Sequence, residues 1–218
     1  MKFILYLLLS YPFIILNAYC QTEKCVKGDC VNGNGTLSYS DGSKYEGQFK
    51  NGMKHGRGEF SSPDGRWYYG EFKQDKLHGK GTYKFPDGIL YRGDYKDDKW
   101  DGHGEVIFPD GRKYEGELRG EKRHGQGIFT WKDGRKYVGS YNNDKMEGKG
   151  ELTFPDGAKY EGDFKDSQFN GHGTFYYPDK RKYVGEFKDG YPEGIGTLLY
   201  PDGRKQEGKF SKGEYIKQ

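Results

Sequence analysis

The sequence repeats itself every 23 residues. A tyrosine begins each of seven successive units and Gln206 begins an eighth, with no insertion or deletion between them; the tyrosines are Tyr45, Tyr68, Tyr91, Tyr114, Tyr137, Tyr160 and Tyr183. A period of this length is typical of repeat proteins, in which each unit packs mainly on its neighbours. We number the positions of a unit from 1, at the tyrosine, to 23.

Apolar and polar residues alternate within each unit, which indicates β-strands. Positions 1, 3 and 5 carry tyrosine, glycine and mostly another aromatic residue, while positions 14, 16 and 18 carry glycine and two mostly apolar residues, as in Tyr160-Glu-Gly-Asp-Phe164 and Gly171-His-Gly173. The residues between them are mainly polar. Each unit therefore predicts a hairpin with an aromatic face, a polar face and a polar loop between its two strands.

Glycine has two predicted roles in the repeat. A ring beside a glycine can lie over it, because glycine has no Cβ. The segment Pro-Asp-Gly closes the turn to the next unit: proline fixes φ, aspartate bonds its own backbone and glycine takes a positive φ. This segment occurs first as Pro63-Asp64-Gly65, whereas Lys132 replaces the proline of the fourth unit and Lys180 the glycine of the sixth.

The composition agrees with an aromatic core. The chain contains 20 Tyr, 14 Phe and 3 Trp, and its net charge is +3. So many rings at nearly zero net charge favour folding over disorder. The balance of charge also argues against nucleic acid as a partner.

The signature Tyr-x-Gly-x-aromatic, followed by Gly-x-Gly and Asp-Gly, resembles the MORN (membrane occupation and recognition nexus) repeat over about residues 31–217. The resemblance implies a curled single-layer sheet. We predict an all-β fold: a single elongated antiparallel meander sheet of 23-residue β-hairpin repeats, with 16 strands, twisted into a trough. The expected organisation is a signal peptide (1–20), a cysteine-containing cap (21–32), a half repeat (33–44), seven repeats (45–205) and a C-terminal half repeat or cap (206–218).

The first 20 residues predict a secretory signal peptide that is cleaved after Cys20. Retention as a membrane anchor and lipidation of Cys20 are the alternatives. Cleavage leaves Cys25 and Cys30, an even pair across a short turn, which predicts a disulfide in an oxidising compartment; half of a metal site is the rival interpretation. We expect an exported protein, periplasmic, outer membrane-associated or secreted, with a bacterial envelope favoured over a eukaryotic secretory route.

No catalytic or metal-binding set of residues stands out from the repeating background. The five histidines occupy positions 11 and 13. Equivalent atoms of adjacent hairpins lie about 9.6 Å apart, which is too far for two ligands of one zinc ion. No phosphate-binding loop and no nucleophile with its base is evident. We expect no enzymatic activity, no metal and no cofactor.

Two columns of the repeat are candidates for binding. Position 10 carries large apolar residues that strand alternation does not require, and we place them on loops outside the aromatic face, along one edge that suits a protein partner or self-association. The alternative is that each packs on the neighbouring hairpin. A ladder of cations follows the turns and either pairs with nearby carboxylates or contacts anionic lipid. The position-10 candidates are Leu77, Trp100, Met146 and Phe169, and the cations are Arg112, Lys113, Arg135, Lys136, Arg181, Lys182, Arg204 and Lys205.

These features predict an exported, non-catalytic scaffold that acts through protein–protein contacts. A peripheral module for anionic phospholipid surfaces is the alternative function. A more remote alternative is an accessory protein to an envelope enzyme.

Overall fold

The computed structural model describes residues 23–217, which form one antiparallel sheet of 18 strands. Each strand pairs with its neighbours in chain order, and the first and last strands do not pair with each other, so the sheet is open. The predicted all-β meander is confirmed. Its strands are Glu23–Gly28 (β1), Asn34–Tyr39 (β2), Lys44–Lys50 (β3), Met53–Ser61 (β4), Trp67–Lys73 (β5), Lys76–Lys84 (β6), Leu90–Lys96 (β7), Lys99–Ile107 (β8), Lys113–Arg119 (β9), Lys122–Thr130 (β10), Lys136–Asn142 (β11), Lys145–Thr153 (β12), Lys159–Lys165 (β13), Gln168–Tyr176 (β14), Lys182–Lys188 (β15), Tyr191–Leu199 (β16), Lys205–Ser211 (β17) and Glu214–Tyr215 (β18).

The predicted number of strands was too low by one at each end. The cysteine-containing segment forms β1, which pairs with β2, and the C-terminal tail forms the short β18, which pairs with β17. Both additions cover strand edges whose N–H and C=O groups would otherwise be unpaired. The predicted signal peptide lies outside the described residues.

The leading tyrosine of each unit lies over a pair of glycines. The glycines at positions 3 and 14 are directly opposite each other, as in Gly47 and Gly58. A Cβ on Gly58 would lie 2.4 Å from Cε2 of Tyr45, so only glycine leaves room for the ring. The Tyr45 hydroxyl donates a hydrogen bond to the backbone oxygen of Gln48 at 2.9 Å, and the tyrosines of the other six units make the equivalent bond.

The core continues from one unit to the next through edge-to-face ring contacts. Tyr45 contacts Phe49 of its own unit at a centroid distance of 5.1 Å and Phe72 of the following unit at 4.9 Å. Tyr160 contacts Phe164 and Phe187 in the same way. These rings are almost fully buried and belong to one cluster. The prediction of an aromatic face with overlying rings is confirmed.

The polar loop predicted inside each hairpin is wrong. Only positions 7 and 8 form the turn, and both have positive φ, as in Asp97 (48°) and Asp98 (69°), which is the geometry of a type I′ turn. The second strand begins at position 9 and bends at a bulge around the glycine of position 12. The bulge places three residues opposite one, which interrupts the alternation from which strands are recognised in a sequence.

The turns between units have the predicted structure. In the turn after Phe108, the Gly111 N–H donates to the Phe108 oxygen, and Asp110 Oδ1 accepts from the Arg112 N–H at 3.1 Å. Lys180 replaces glycine and still adopts a φ of 68°. The turn therefore forms even where its usual glycine is missing.

Replacing a glycine beneath a tyrosine should destabilise the sheet. We expect Gly127→Ala to cost about 3 kcal/mol, because its Cβ would lie 2.6 Å from Cε2 of Tyr114 and the core has no room for displacement. Glu115→Ala, on the polar face of the paired strand, should cost under about 0.5 kcal/mol. Denaturant midpoints of the two variants measure the difference, and equal losses would contradict the assignment of faces.

Candidate interaction surfaces

The residues of position 10 lie inside the fold, not on loops. Each is within a strand and directly opposite the apolar residue of position 5, as Trp100 is opposite Tyr95 and Phe169 opposite Phe164. The placement outside the aromatic face was therefore wrong. Positions 9 to 13 continue the strand instead of forming a loop, and counting back in twos from the glycine of position 14 then places position 10 on the aromatic face. Whether these residues bind a partner remains a prediction.

Trp100 shows how tightly this column is packed. Its ring stacks on Tyr91 with a centroid distance of 4.3 Å and an interplanar angle of 11°. It also contacts Phe85 of the preceding unit at 5.9 Å. Phe169 stacks on Tyr160 at 3.9 Å in the same manner. A residue at position 10 therefore covers the tyrosine of its own unit and contributes to the core.

Two rows of partly exposed apolar side chains border the aromatic face and define a surface that we call the groove. One row is position 10 and the other is position 18, and the contact between Trp100 and Phe85 shows that the rows approach each other. The buried tyrosines lie between them. The half-buried members are Leu77, Trp100 and Met146 in the first row and Tyr39, Phe85, Trp131, Phe154, Tyr177 and Tyr200 in the second.

The predicted ladder of cations is divided between the two faces. Arg112 stacks on Phe108, with its guanidinium carbon 4.5 Å from the ring centroid, and its Nε lies 2.7 Å from Asp110 Oδ2. The adjacent Lys113 points to the polar face, where its Nζ lies 2.6 Å from Glu105. Consecutive residues of an extended chain point to opposite sides, so the Arg-Lys pairs cannot form one cationic edge.

The arginines of the ladder are neutralised by the aspartates of their own turns. Arg135, Arg181 and Arg204 repeat the arrangement of Arg112, each stacked on a ring and paired with an aspartate at 2.7 to 2.8 Å. Hydrogen bonding to the Arg112 N–H lowers the pKa of Asp110, and the N–H groups of Arg181 and Arg204 act likewise on Asp179 and Asp202. These carboxylates remain charged and hold the guanidinium groups at the turns.

The lysines of the ladder lie on the polar face, and they differ in whether a carboxylate is close enough to form an ion pair. Lys113 contacts Glu105 and Glu115. Lys136 and Lys182 instead have valine at the neighbouring position 2, and within residues 23–217 no carboxylate lies within 4 Å of either ammonium group. Lys205 likewise forms no ion pair among these residues. Only the lysines therefore leave cationic groups open to an anionic surface.

Cys25 and Cys30 form the predicted disulfide. Cys30 Sγ lies 2.8 Å from where a Cβ of Gly35 would be, so the disulfide covers Gly35, which pairs with Gly28, as a tyrosine covers the equivalent glycine in other units. No metal-binding group of three His, Cys, Asp or Glu side chains occurs in the part of the chain that the structure describes. Residues 23–217 also contain no helix long and apolar enough to cross a membrane.

Two surface features have no counterpart in the sequence interpretation. The carboxylate of Asp98, in the turn of one unit, accepts a hydrogen bond from the Leu77 N–H of the preceding unit at 2.8 Å, which joins adjacent hairpins. Tyr69, Val138 and Val184 are exposed on the polar face at position 2. The apolar residues at position 2 of these three units are the sequence signal for this exposure.

The MORN repeat model matches eight segments of this chain: residues 32–44, 45–65, 68–89, 91–111, 114–134, 137–159, 160–180 and 183–203. The chain belongs to the MORN repeat family. No curated protein sequence matches this MORN protein.

Solved structures with the same fold are distant in sequence. One is the G-box domain of the microcephaly protein CPAP, whose structural analysis suggests a role in centriole elongation. It is 20% identical to this chain, with a TM-score of 0.53 over 87% of this chain and 100% of that domain. The TCP domain of Drosophila melanogaster SAS-4, in complex with a proline-rich motif of Ana2, is 12% identical, with a TM-score of 0.41 over 87% and 90% of the two chains. The first similarity supports the fold alone.

Removing the Trp100 ring should destabilise this MORN protein. We expect Trp100→Ala to cost about 2–3 kcal/mol, because the half-buried ring stacks on Tyr91 and the variant leaves a cavity in the groove. Tyr69→Ala removes an exposed ring of the opposite face and should cost under about 0.5 kcal/mol. Thermal melting of both variants decides whether position 10 is part of the core, since an unchanged melting temperature for Trp100→Ala would refute it.

Proposed function

We propose that this MORN protein is an exported, non-catalytic scaffold that binds a protein partner along its groove. The supporting observation is that two rows of apolar side chains remain half-exposed although they pack against the buried tyrosines. Partly exposed aromatic side chains held on a rigid sheet are suited to anchoring a partner, because little side-chain entropy is lost on binding. Repeated hairpins extend this surface along the array.

The second candidate function is contact with an anionic phospholipid surface through the polar face. Lys136 and Lys182 support it, since neither ammonium group has a carboxylate partner among residues 23–217. The arginines argue against it, because each is already paired with the aspartate of its turn. Together with Lys205, which is also without an ion pair among these residues, these lysines provide little attraction compared with the clusters that recruit proteins to membranes.

Variants of the two faces separate these functions. Tyr177→Ser with Tyr200→Ser removes two rings of the groove, and serine is acceptable there because Ser62 occupies the same position in the first unit. Tyr69→Ser is the matched change on the polar face. Crosslinking in the native compartment, followed by binding measurements with the captured protein, should show at least a tenfold loss for the groove variant and none for Tyr69→Ser.

The lipid function predicts a different result. Vesicles containing phosphatidylserine would bind the wild type in a salt-sensitive manner, and Lys136→Gln with Lys182→Gln would abolish this binding. We expect no such binding. Vesicle binding that depends on both lysines, together with a groove variant of unchanged affinity, would contradict the protein-binding proposal and favour the lipid function.

Export is supported by the apolar leader in the sequence and by the disulfide between Cys25 and Cys30. We expect the mature chain to begin at Gln21 and to contain no free thiol when it is purified without reductant. Intact-mass measurement, with and without thiol alkylation, tests both points. A chain that retains residues 1–20 or carries a lipid on Cys20 would refute cleavage after Cys20, and two alkylated thiols would refute the oxidising compartment.

A further inference from the structure

Within residues 23–217, the groove contains one cation without a carboxylate partner. Lys54 is the position-10 residue of the first unit, and its Nζ lies 5.9 Å from the ring centroids of Tyr39, Tyr45 and Phe72. The side chain is half-buried. Among residues 23–217, no carboxylate oxygen lies within 4 Å of this ammonium group. Lys54 therefore holds its charge among three aromatic rings.

A second cation at position 10 is paired with a carboxylate. Arg123, the position-10 residue of the fourth unit, donates from Nε to Asp144 Oδ1 at 3.2 Å and from a terminal nitrogen to the Asp144 backbone oxygen at 2.7 Å. Asp75 occupies the same turn position beside Lys54 and accepts only the Lys54 backbone N–H, at 2.9 Å. The Asp75 carboxylate thus binds the Lys54 backbone, whereas the Lys54 ammonium group lies among the rings.

An unpaired charge of this kind costs stability. Burial lowers the pKa of Lys54, because its ammonium form loses hydration that the more distant carboxylates do not replace. Ring contacts near 6 Å are at the outer limit of useful cation–π attraction. Met146 fills the same position in the fifth unit, so the fold itself does not need a cation there.

We propose that Lys54 binds a carboxylate of the partner segment that occupies the groove, namely an Asp or Glu side chain flanked by apolar residues. This inference rests on the proposed function and specifies the chemistry of the partner. The flanking apolar residues contact the rings around Lys54, and the carboxylate supplies the ion pair that the chain does not provide. In the low-dielectric groove such a pair discriminates against neutral partners, which would leave the ammonium group unpaired.

Selection from a random peptide library displayed on phage tests the proposal. We expect peptides selected on the wild type to share one acidic residue between apolar residues, and peptides selected on Lys54→Met to lack it. For a selected synthetic peptide, exchanging the acid for its amide should weaken binding to the wild type at least tenfold and leave binding to Lys54→Met unchanged. Affinity should fall as the pH rises through the pKa of Lys54, since only the ammonium form attracts the acid.

Two controls keep the result interpretable. Lys84→Met removes an exposed lysine of the polar face and should retain the wild-type preference. Lys54→Met should melt at the same temperature as the wild type or higher, because it replaces a desolvated charge by an apolar side chain. A lower melting temperature would overturn the proposal by giving Lys54 a structural role.

The peptide results also separate this inference from the proposed function. Peptides that lose affinity for Tyr39→Ser, which removes a groove ring beside Lys54, but show no acidic preference would overturn the role of Lys54 and leave the groove as the binding surface. An acidic preference that persists in Lys54→Met would likewise overturn it. Failure of any groove-dependent peptide to bind would refute both proposals.

Discussion

The close contact between one tyrosine and two opposite glycines determines most of this structure. The ring lies where the Cβ atoms of positions 3 and 14 would be, and its hydroxyl donates to the backbone oxygen of position 4. Burial raises the pKa of these hydroxyl groups, so they remain donors at any physiological pH. A single-layer sheet obtains a core in this way, because the tyrosines pack against the backbone of their own hairpins and against rings of adjacent units.

Both ends of the array satisfy the same constraint with different residues. Near the first strand, the disulfide of Cys25 and Cys30 lies over Gly35. At the other end, Gln206 replaces the leading tyrosine. The Tyr215 ring packs near Gly208, and its hydroxyl donates to the Glu207 backbone oxygen at 3.2 Å. Repeat arrays need terminal units that differ from internal ones, since each end lacks a neighbour.

The packing also decides which surface is available for function. The position-10 side chains cover the tyrosines, so they stabilise the core and are also partly exposed in the groove. The turn arginines are held by aspartates and rings, which leaves the polar face with scattered lysines and a few exposed apolar side chains. Residues 23–217 therefore present an aromatic groove that contains one cation without a carboxylate partner.

The sequence alone was sufficient for the fold class, the aromatic and polar faces, the Pro-Asp-Gly turns and the cysteine pair, because these depend on local alternation and on glycine, proline and cysteine chemistry. The sequence interpretation placed position 10 outside the aromatic face and treated the arginines and lysines as one ladder of cations. Only the tertiary structure decided these points. Strand pairing extends the second strand of the hairpin back to position 9, which places Trp100 on the aromatic face, and the pairing of Arg112 with Asp110 separates it from Lys113. The extent of each strand depends on hydrogen bonding between strands, which a one-dimensional pattern does not contain.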